Sequence, residues 1–180
     1  MWRPDPTVGE KVRQHYGYSE ERWKKIGWKE RRLHIAAYEI DVAKVHEEPK
    51  NSNWGPSPQK YLASVGISFP AAWCAAGLNW CTAHSDPPEG VKPKRASMAA
   101  SWLRLFAKNR LTVKRGDIGG WINADGTGHV FLITAVRRNW KLQAVEFDTL
   151  EFNSNDEGSR EGFEGCRRVR AWDAKTRVAA

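Results

Sequence analysis

Hydrophobic periodicity changes near Arg110, and this change constrains the fold more than any other feature of the sequence. Before Arg110, apolar residues recur at the three- and four-residue spacing of amphipathic helices. After it, short runs rich in β-branched and aromatic residues alternate with turn residues, which is typical of strands. Helices followed by strands predict an α+β fold in which N-terminal helices pack on a mainly antiparallel β-sheet.

The helical half is predicted to contain four helices. They cover residues 31–46, residues 57–66, a segment that follows Pro70 and runs through Cys81, and residues 98–109. In the second helix, Ser57 is the predicted cap, Pro58 lies in the first turn and Gly66 follows the last turn. The later half is predicted to form strands at residues 111–118, 120–123, 129–138, 142–150 and 165–172, with a hairpin turn at 123–126.

The chain has 180 residues, the length of one domain. We divide it into residues 1–30, a basic N-terminal arm or peripheral helix, and residues 31–180, the main domain. No apolar run approaches the roughly 20 residues that a membrane span needs. The N-terminal residues also lack the apolar stretch of a secretory signal.

The net charge limits the classes of binding partner, and the cysteine count limits disulfide formation. The sequence has 29 Lys and Arg against 21 Asp and Glu, a net charge of +8. Such a surface favours nucleic acids, anionic membranes or acidic cell-wall polymers. Three cysteines cannot all pair with one another, so at least one thiol is free.

Cys74 is the first candidate for chemistry. It follows Pro70 closely and is predicted in the first turn of a helix. Unpaired backbone N–H groups and the helix dipole favour a thiolate at that position. The alternative is a small buried apolar residue. Cys81 lies two turns further along the helix, beyond the reach of the dipole, and is interpreted as core packing.

His129 and a polar segment after the fourth predicted strand complete the pattern. His129 opens an apolar strand, and a cysteine at a helix start facing a histidine on a sheet is the layout of thiol enzymes. Glu151 and Asn153 share one face of an extended chain and can orient the imidazole. The alternatives are a structural histidine and an exposed polar turn at 151–162.

The order and spacing of these segments resemble the CHAP family, the cysteine, histidine-dependent amidohydrolases/peptidases of phage endolysins and bacterial wall hydrolases. The resemblance covers about residues 33–172. Its motifs are residues 48–55, 60–62, 73–76, 115–117 and 128–130 and the Glu-x-Asn turn that begins at Glu151.

This resemblance implies a papain-like fold and hydrolysis of an amide bond in peptidoglycan. It assigns the nucleophile to Cys74 and the base to His129, with Glu151 and Asn153 orienting the histidine. Phe152 stands where the family usually has glycine. Glu146 and Asp148, on the same predicted strand, stay open as alternatives for the orienting role.

The function expected from the resemblance is that of a phage endolysin, either an N-acetylmuramoyl-L-alanine amidase or an endopeptidase. The alternatives are an antibacterial amidase effector and a basic nucleic-acid-binding module. Basic clusters at residues 22–32 and 167–170 motivate the nucleic-acid alternative, but no helix-turn-helix, zinc-finger or RNA-binding signature supports it. Peptidoglycan and anionic wall polymers are therefore the expected partners of a monomer made in the bacterial cytoplasm and exported by a holin or secretion system.

The remaining predictions concern substrate-binding tryptophans and sites for a metal or cofactor. Trp54, Trp73 and Trp121 are candidates for substrate binding, and Trp73 is also a candidate for the core. We expect no cofactor and no metal, because Cys81 and His84 have no second pair at metal-like spacing. Some CHAP relatives bind calcium, and calcium dependence stays open because no clear Asp-x-Asp ligand pair is present.

Overall fold

Helices come first and strands second in the computed structural model, which describes residues 2–105, 107–154 and 162–180. Six helices occur in these ranges. They are α1 (Thr7–His15), α2 (Glu20–Lys25), α3 (Trp28–Asp41), α4 (Pro56–Ser64), α5 (Cys74–Ala83) and α6 (Ala99–Leu103). None of the helices in the described ranges is long and apolar enough to cross a membrane.

The strands form one sheet in the order β1-β6-β2-β3-β4-β5, and every neighbouring pair is antiparallel. They are β1 (Ala107–Lys108), β2 (Ile118–Ile122), β3 (Gly128–Arg138), β4 (Ala144–Ser154), β5 (Glu164–Ala171) and β6 (Arg177–Ala179). The predicted α+β class, with N-terminal helices and an antiparallel sheet, is confirmed.

Three helices begin or end at residues other than those predicted. Helix α3 begins at Trp28 because Gly27 is extended and serves as its N-cap. Helix α4 begins at Pro56, so its cap is Gly55, at φ 116°, and the predicted Ser57 cap is wrong. Helix α6 ends at Leu103, well before the predicted end, and Phe106 lies outside the described residues.

Two parts of the strand prediction are wrong. Residues 111–117 form turns, because the buried Asp117 carboxylate accepts the backbone N–H of Lys114 and folds the chain back before β2. The short strands β1 and β6 were not predicted, since two or three residues carry no periodic signal. The predicted turn at 123–126 is present, and Gly126 adopts its positive φ of 82°.

The N-terminal segment packs on the main domain. Helices α1 and α2 bury Val12 and Trp23 in the same core cluster as the central helix α5. The predicted boundary after residue 30 falls inside α3. Residues 2–30 are therefore largely helical and continuous with the domain core.

The contact between α5 and β4 sets the distance between the helix that carries Cys74 and the sheet. A Cβ atom added at Gly77 would lie 2.5 Å from Cγ of Phe152. Phe152 is buried in the main core, and its ring packs against Tyr61 and Trp73. Glycine at 77 therefore leaves room for this large side chain to fill the interface.

We expect Gly77→Ala to lower the free energy of unfolding by about 1–3 kcal/mol, because overpacking at a rigid aromatic ring outweighs the better helix propensity of alanine. Chemical denaturation of both proteins measures this difference. Gly9→Ala provides the control, because Gly9 also lies in a helix, α1, and an added Cβ there meets Trp23 Nε1 only at an ordinary contact distance of 3.9 Å. Equal stability of Gly77→Ala and the parent protein would contradict the packing argument.

Candidate active site

Cys74 is the first residue of α5, as the sequence predicts. The first helical hydrogen bond runs from the N–H of Gly77 to the carbonyl of Trp73, at 2.8 Å. The N–H groups at positions 74–76 therefore have no partner within the helix. The residue Cys74 is 6% exposed, so it lies at a buried helix N-terminus that still reaches the surface.

His129 is the second residue of β3 and is buried beside Cys74. Its Nε2 lies 3.0 Å from Oε2 of Glu151. Its Nδ1 makes no hydrogen bond of ordinary geometry with any described residue. Since the Cys74 thiol interacts with this ring and Nε2 is bound to Glu151, Nδ1 is the nitrogen available to the thiol.

The two side chains shift each other's protonation. Burial raises the pKa of the Cys74 thiol, but the interaction with the His129 side chain and its charge, together with the N–H groups of Val130 and Ala75, outweigh burial and lower it. Burial lowers the pKa of His129, but Cys74 and Glu151 outweigh burial and raise it to about 9. The pair therefore favours thiolate and imidazolium over the two neutral groups.

Glu151 lies deep in the sheet and is saturated with hydrogen bonds. It accepts five, one from each of His129, Thr149 and Ser154 and two from Arg170. Burial raises the pKa of this carboxyl, but Arg170 and His129 outweigh burial and hold it well below its usual range. The carboxylate is therefore a fixed negative charge behind the imidazole.

The two alternative carboxylates on β4 lie elsewhere. Glu146 and Asp148 both pair with Arg137, at 3.0 and 2.6 Å, on the exposed part of the β3–β4 pair. Neither carboxylate contacts His129. Of the three carboxylates that the sequence left open, Glu151 is the one at the histidine.

Arg170 is a site residue that sequence reasoning missed. Its Nε and Nη2 donate to Glu151 at 2.8 and 2.7 Å, a bidentate pair. Its guanidinium also lies 5.2 Å from the ring centroid of Trp121, and that ring packs 5.0 Å from the ring of His129. Arg170 and Trp121 therefore pack around the histidine and its carboxylate.

Asn153 does not contact His129, so its predicted orienting role is wrong. Its side-chain oxygen accepts the backbone N–H of Trp73 at 2.9 Å, and its amide donates to Glu47 and to the carbonyl of Gly162. A register shift after Glu151 and a φ of 55° at Asn153 break the expected alternation. Asn153 instead anchors the residue before Cys74.

Glu47 is a second residue that the sequence did not single out. The carboxylate is buried and accepts hydrogen bonds from Trp73 Nε1 at 2.8 Å and from the backbone N–H of Asn53 at 3.0 Å. Together with Asn153 it fixes the loop side of the α5 N-terminus. Of the polar turn predicted at 151–162, residues 151–154 instead continue β4, and residues 155–161 lie outside the described residues.

A cleft of about 210 Å³ opens at Cys74. It is lined by Ala72, Cys74, Ser97, Met98, Ala99, Gly126, Thr127 and Gly128. These side chains are small or uncharged, so the described walls of the cleft carry no formal charge apart from a Cys74 thiolate. An extended, uncharged backbone segment can approach the sulfur here.

The three predicted substrate-binding tryptophans do not line this cleft. Trp73 is fully buried, with its ring stacked on Tyr61, so the prediction that it binds substrate is wrong. Trp54 is partly buried against the main core. Trp121 contacts His129 and Arg170, which makes it a neighbour of the site residues.

No group of three or more His, Cys, Asp or Glu residues in the described ranges is arranged to hold a metal ion. Cys81 is buried at 0% exposure, and His84 accepts the backbone N–H of Asp5 through Nε2. These two residues are therefore engaged in the core and in the packing of the N-terminal segment.

No family model, curated protein or solved structure matches this chain. Chemically, a thiolate at a helix N-terminus beside a carboxylate-backed imidazolium can attack a carbonyl carbon and protonate a leaving amine.

Proposed function

We propose that this protein is a cysteine amidohydrolase or peptidase that cleaves an amide bond of bacterial peptidoglycan. The observation that carries the proposal is the buried chain of Cys74, His129 and Glu151, with the thiol at the N-terminus of α5 and the carboxylate on Nε2 of the imidazole. Nucleophile, base and orienting group then have the arrangement that acyl transfer requires.

In the proposed reaction, the Cys74 thiolate attacks the carbonyl carbon of the amide. The His129 imidazolium gives its proton to the nitrogen of the leaving amine, the C–N bond breaks, and a thioester remains on Cys74. Neutral His129 then takes a proton from water, whose oxygen attacks the thioester and releases a carboxylic acid. The sulfur leaves as thiolate, and the imidazolium is restored.

The α5 N-terminus supports the charge that develops during this reaction. The carbonyl oxygen becomes an oxyanion as the C–S bond forms, and it needs hydrogen-bond donors at that moment. The N–H groups of Cys74 and Ala76, which have no partner within the helix, and the positive end of the helix dipole are the donors that this chain offers. The Asn153 bond to the N–H of Trp73, at 2.9 Å, holds that end of the helix in position.

Peptidoglycan is proposed as the substrate on two grounds. The motifs around Cys74, His129 and Glu151 resemble those of the CHAP family, whose papain-like members act on this polymer. The net charge of +8 also favours association with anionic wall polymers. We propose that the enzyme works on the wall as a phage lysis enzyme after export from the cytoplasm.

Digestion of purified peptidoglycan tests the proposal. The parent protein should release fragments that mass spectrometry identifies by a free lactyl group on muramic acid, for an amidase, or by a new N-terminus in the stem or bridge, for an endopeptidase. Cys74→Ser and His129→Ala should release neither product, whereas Cys166→Ala should cleave like the parent. Digestion with and without a chelator decides whether calcium is needed.

Two results would contradict the proposal. One is digestion by Cys74→Ser at the rate of the parent protein. The other is the absence of any amide cleavage by a parent protein that circular dichroism and thermal unfolding show to be folded.

A further inference from the structure

Three large apolar side chains are exposed together at the end of the β3–β4 hairpin. Trp140 is 86% exposed and Leu142 is 70% exposed, both in the turn, and Leu111 in the neighbouring loop is 59% exposed. We call these three residues the apolar tip. Water-exposed apolar side chains that lie together on a soluble domain are typical of a binding surface.

The tip is held in shape by hydrogen bonds. The carbonyl of Arg110 accepts the N–H of Ala144 and Nη1 of Arg138, both at 2.9 Å, which ties the loop of Leu111 to the hairpin. Within the turn, the Asn139 side-chain oxygen accepts the N–H groups of Lys141 and Gln143 at 2.9 and 3.1 Å. The two segments therefore present one preformed surface.

Leu142 occupies a backbone conformation that leucine rarely adopts. Its φ is 59°, in the left-handed region where glycine or asparagine is the ordinary choice. The exposed leucine side chain makes no core contact that would offset this strain. A strained, exposed apolar residue at a hairpin tip points to a role outside the folding of the domain.

Basic side chains surround the apolar tip and keep their charge uncompensated. Arg138 donates to the carbonyl oxygens of Arg110, Leu142 and Val113. Lys141 lies over the Trp140 ring at 4.8 Å, and Arg110 lies over the Trp172 ring at 5.2 Å. Within the described ranges, Arg110, Arg138 and Lys141 form no ion pair with a carboxylate.

We propose that the apolar tip inserts into the surface of a bilayer that contains anionic phospholipids. Tryptophan prefers the headgroup level of a membrane, leucine gains free energy from the acyl region below, and the three cations attract anionic headgroups. The two exposed leucines argue against a single-stranded nucleic acid as the partner of the tip, because base stacking uses aromatic rings and leaves aliphatic side chains in water. Three protruding side chains are also fewer than a stable interface with a second copy needs.

The position of the tip relative to Cys74 suits an enzyme that works beside a membrane. Strand β3 runs from Gly128, which lines the cleft, to Arg138 at the tip. Eleven extended residues span about 30 Å, so membrane contact at the tip would hold the cleft well away from the bilayer. Substitutions in the tip leave the residues of the cleft untouched, and the membrane proposal does not depend on the reaction at Cys74.

Vesicle co-sedimentation of the full chain tests the proposal. The parent protein should bind vesicles of phosphatidylcholine mixed with phosphatidylglycerol more tightly than vesicles of phosphatidylcholine alone. The double variant Trp140→Ser, Leu142→Asn should bind the mixed vesicles about tenfold more weakly, because it loses the inserted apolar area. Asparagine is chosen at 142 because it tolerates the positive φ, so the turn keeps its shape.

Phe69→Ser is the control, since Phe69 is an exposed aromatic residue outside the tip, at 61% exposure. It should bind the mixed vesicles like the parent. The proposal is overturned by the absence of vesicle binding or by equal binding of the parent and the double variant, which would leave only charge attraction. It is also overturned if the double variant instead loses affinity for single-stranded DNA, or loses a dimer seen by sedimentation velocity.

Discussion

Replacement of Glu151 by glutamine should slow amide hydrolysis by about a thousandfold or more, with substrate affinity changed little. The carboxylate fixes Nε2 of His129 as a proton donor at 3.0 Å and supplies the negative charge that stabilises the imidazolium. Glutamine keeps the shape of the side chain but removes that charge. The steady-state rate of amide cleavage in purified peptidoglycan measures the effect.

The pH dependence of the hydrolysis rate shows whether Glu151→Gln is slow because the charge is lost or because the protein is partly unfolded. Glu151 raises the pKa of His129 to about 9, together with Cys74, so Glu151→Gln should lower that pKa. The imidazolium is then lost at a lower pH, and the alkaline limb of the rate profile should move toward neutral pH. A variant that is slow only because it is partly unfolded would keep the limb of the parent.

Asp148→Asn is the matched control on the same strand. Asp148 pairs with Arg137 at 2.6 Å, and both side chains are exposed, so its removal should change the rate and the stability little. Glu151→Gln, by contrast, leaves Arg170 without its anion and should lower the free energy of unfolding by about 3 kcal/mol. Equal effects of the two substitutions would contradict the assignment of Glu151.

Local signals predict where Cys74 and His129 lie in the fold. Cys74 follows a proline-containing loop and begins an apolar helix, and His129 begins an apolar strand, so each position depends only on its neighbours in the chain. The motif resemblance then favours Glu151, which the structure brings to the imidazole. The order of helices and strands likewise follows from periodicity that is visible over short windows.

Non-local geometry explains what the sequence did not reveal. Arg170 lies opposite Phe147 on β5 and reaches along the same face of the sheet to Glu151, which requires knowledge of the strand register. Glu47 belongs to a stretch that looks like a polar surface loop, and its burial depends on Trp73, which is distant in sequence. No sequence pattern in either segment predicts these contacts.

The alternation rule failed at Asn153 for a specific physical reason. A register shift after Glu151 and a positive φ at Asn153 turn the asparagine from the face of Glu151 toward the start of α5. Strand periodicity assumes a regular pleat, so it cannot anticipate an irregularity of this kind. As a result of this irregularity, Glu151 holds His129, whereas Asn153 holds the backbone N–H of Trp73, directly before Cys74.

Iodoacetamide should alkylate Cys74 at least about tenfold faster than the other two cysteines at pH 7, because the thiolate is the reactive form. Burial raises the pKa of the Cys166 thiol to about 11 and that of Cys81 well above its ordinary value. The pKa of Cys74 is lowered below its ordinary value by His129 and nearby backbone N–H groups, against the effect of burial. Peptide mapping by mass spectrometry after timed labelling gives the three rates without any substrate.

The pH dependence of this labelling tests whether Cys74 and His129 form an ion pair. A lowered pKa means that the Cys74 thiolate persists to lower pH, so its labelling should stay fast as the pH falls below neutral. In His129→Ala the helix N-terminus remains but the imidazolium is gone, so burial should raise the pKa of the thiol and labelling at pH 6 should slow by about tenfold or more. His84→Ala removes a histidine that lies outside the site and should leave the Cys74 profile unchanged. If Cys74 labels no faster than Cys166, or if His129→Ala labels like the parent, Cys74 and His129 do not form the proposed ion pair.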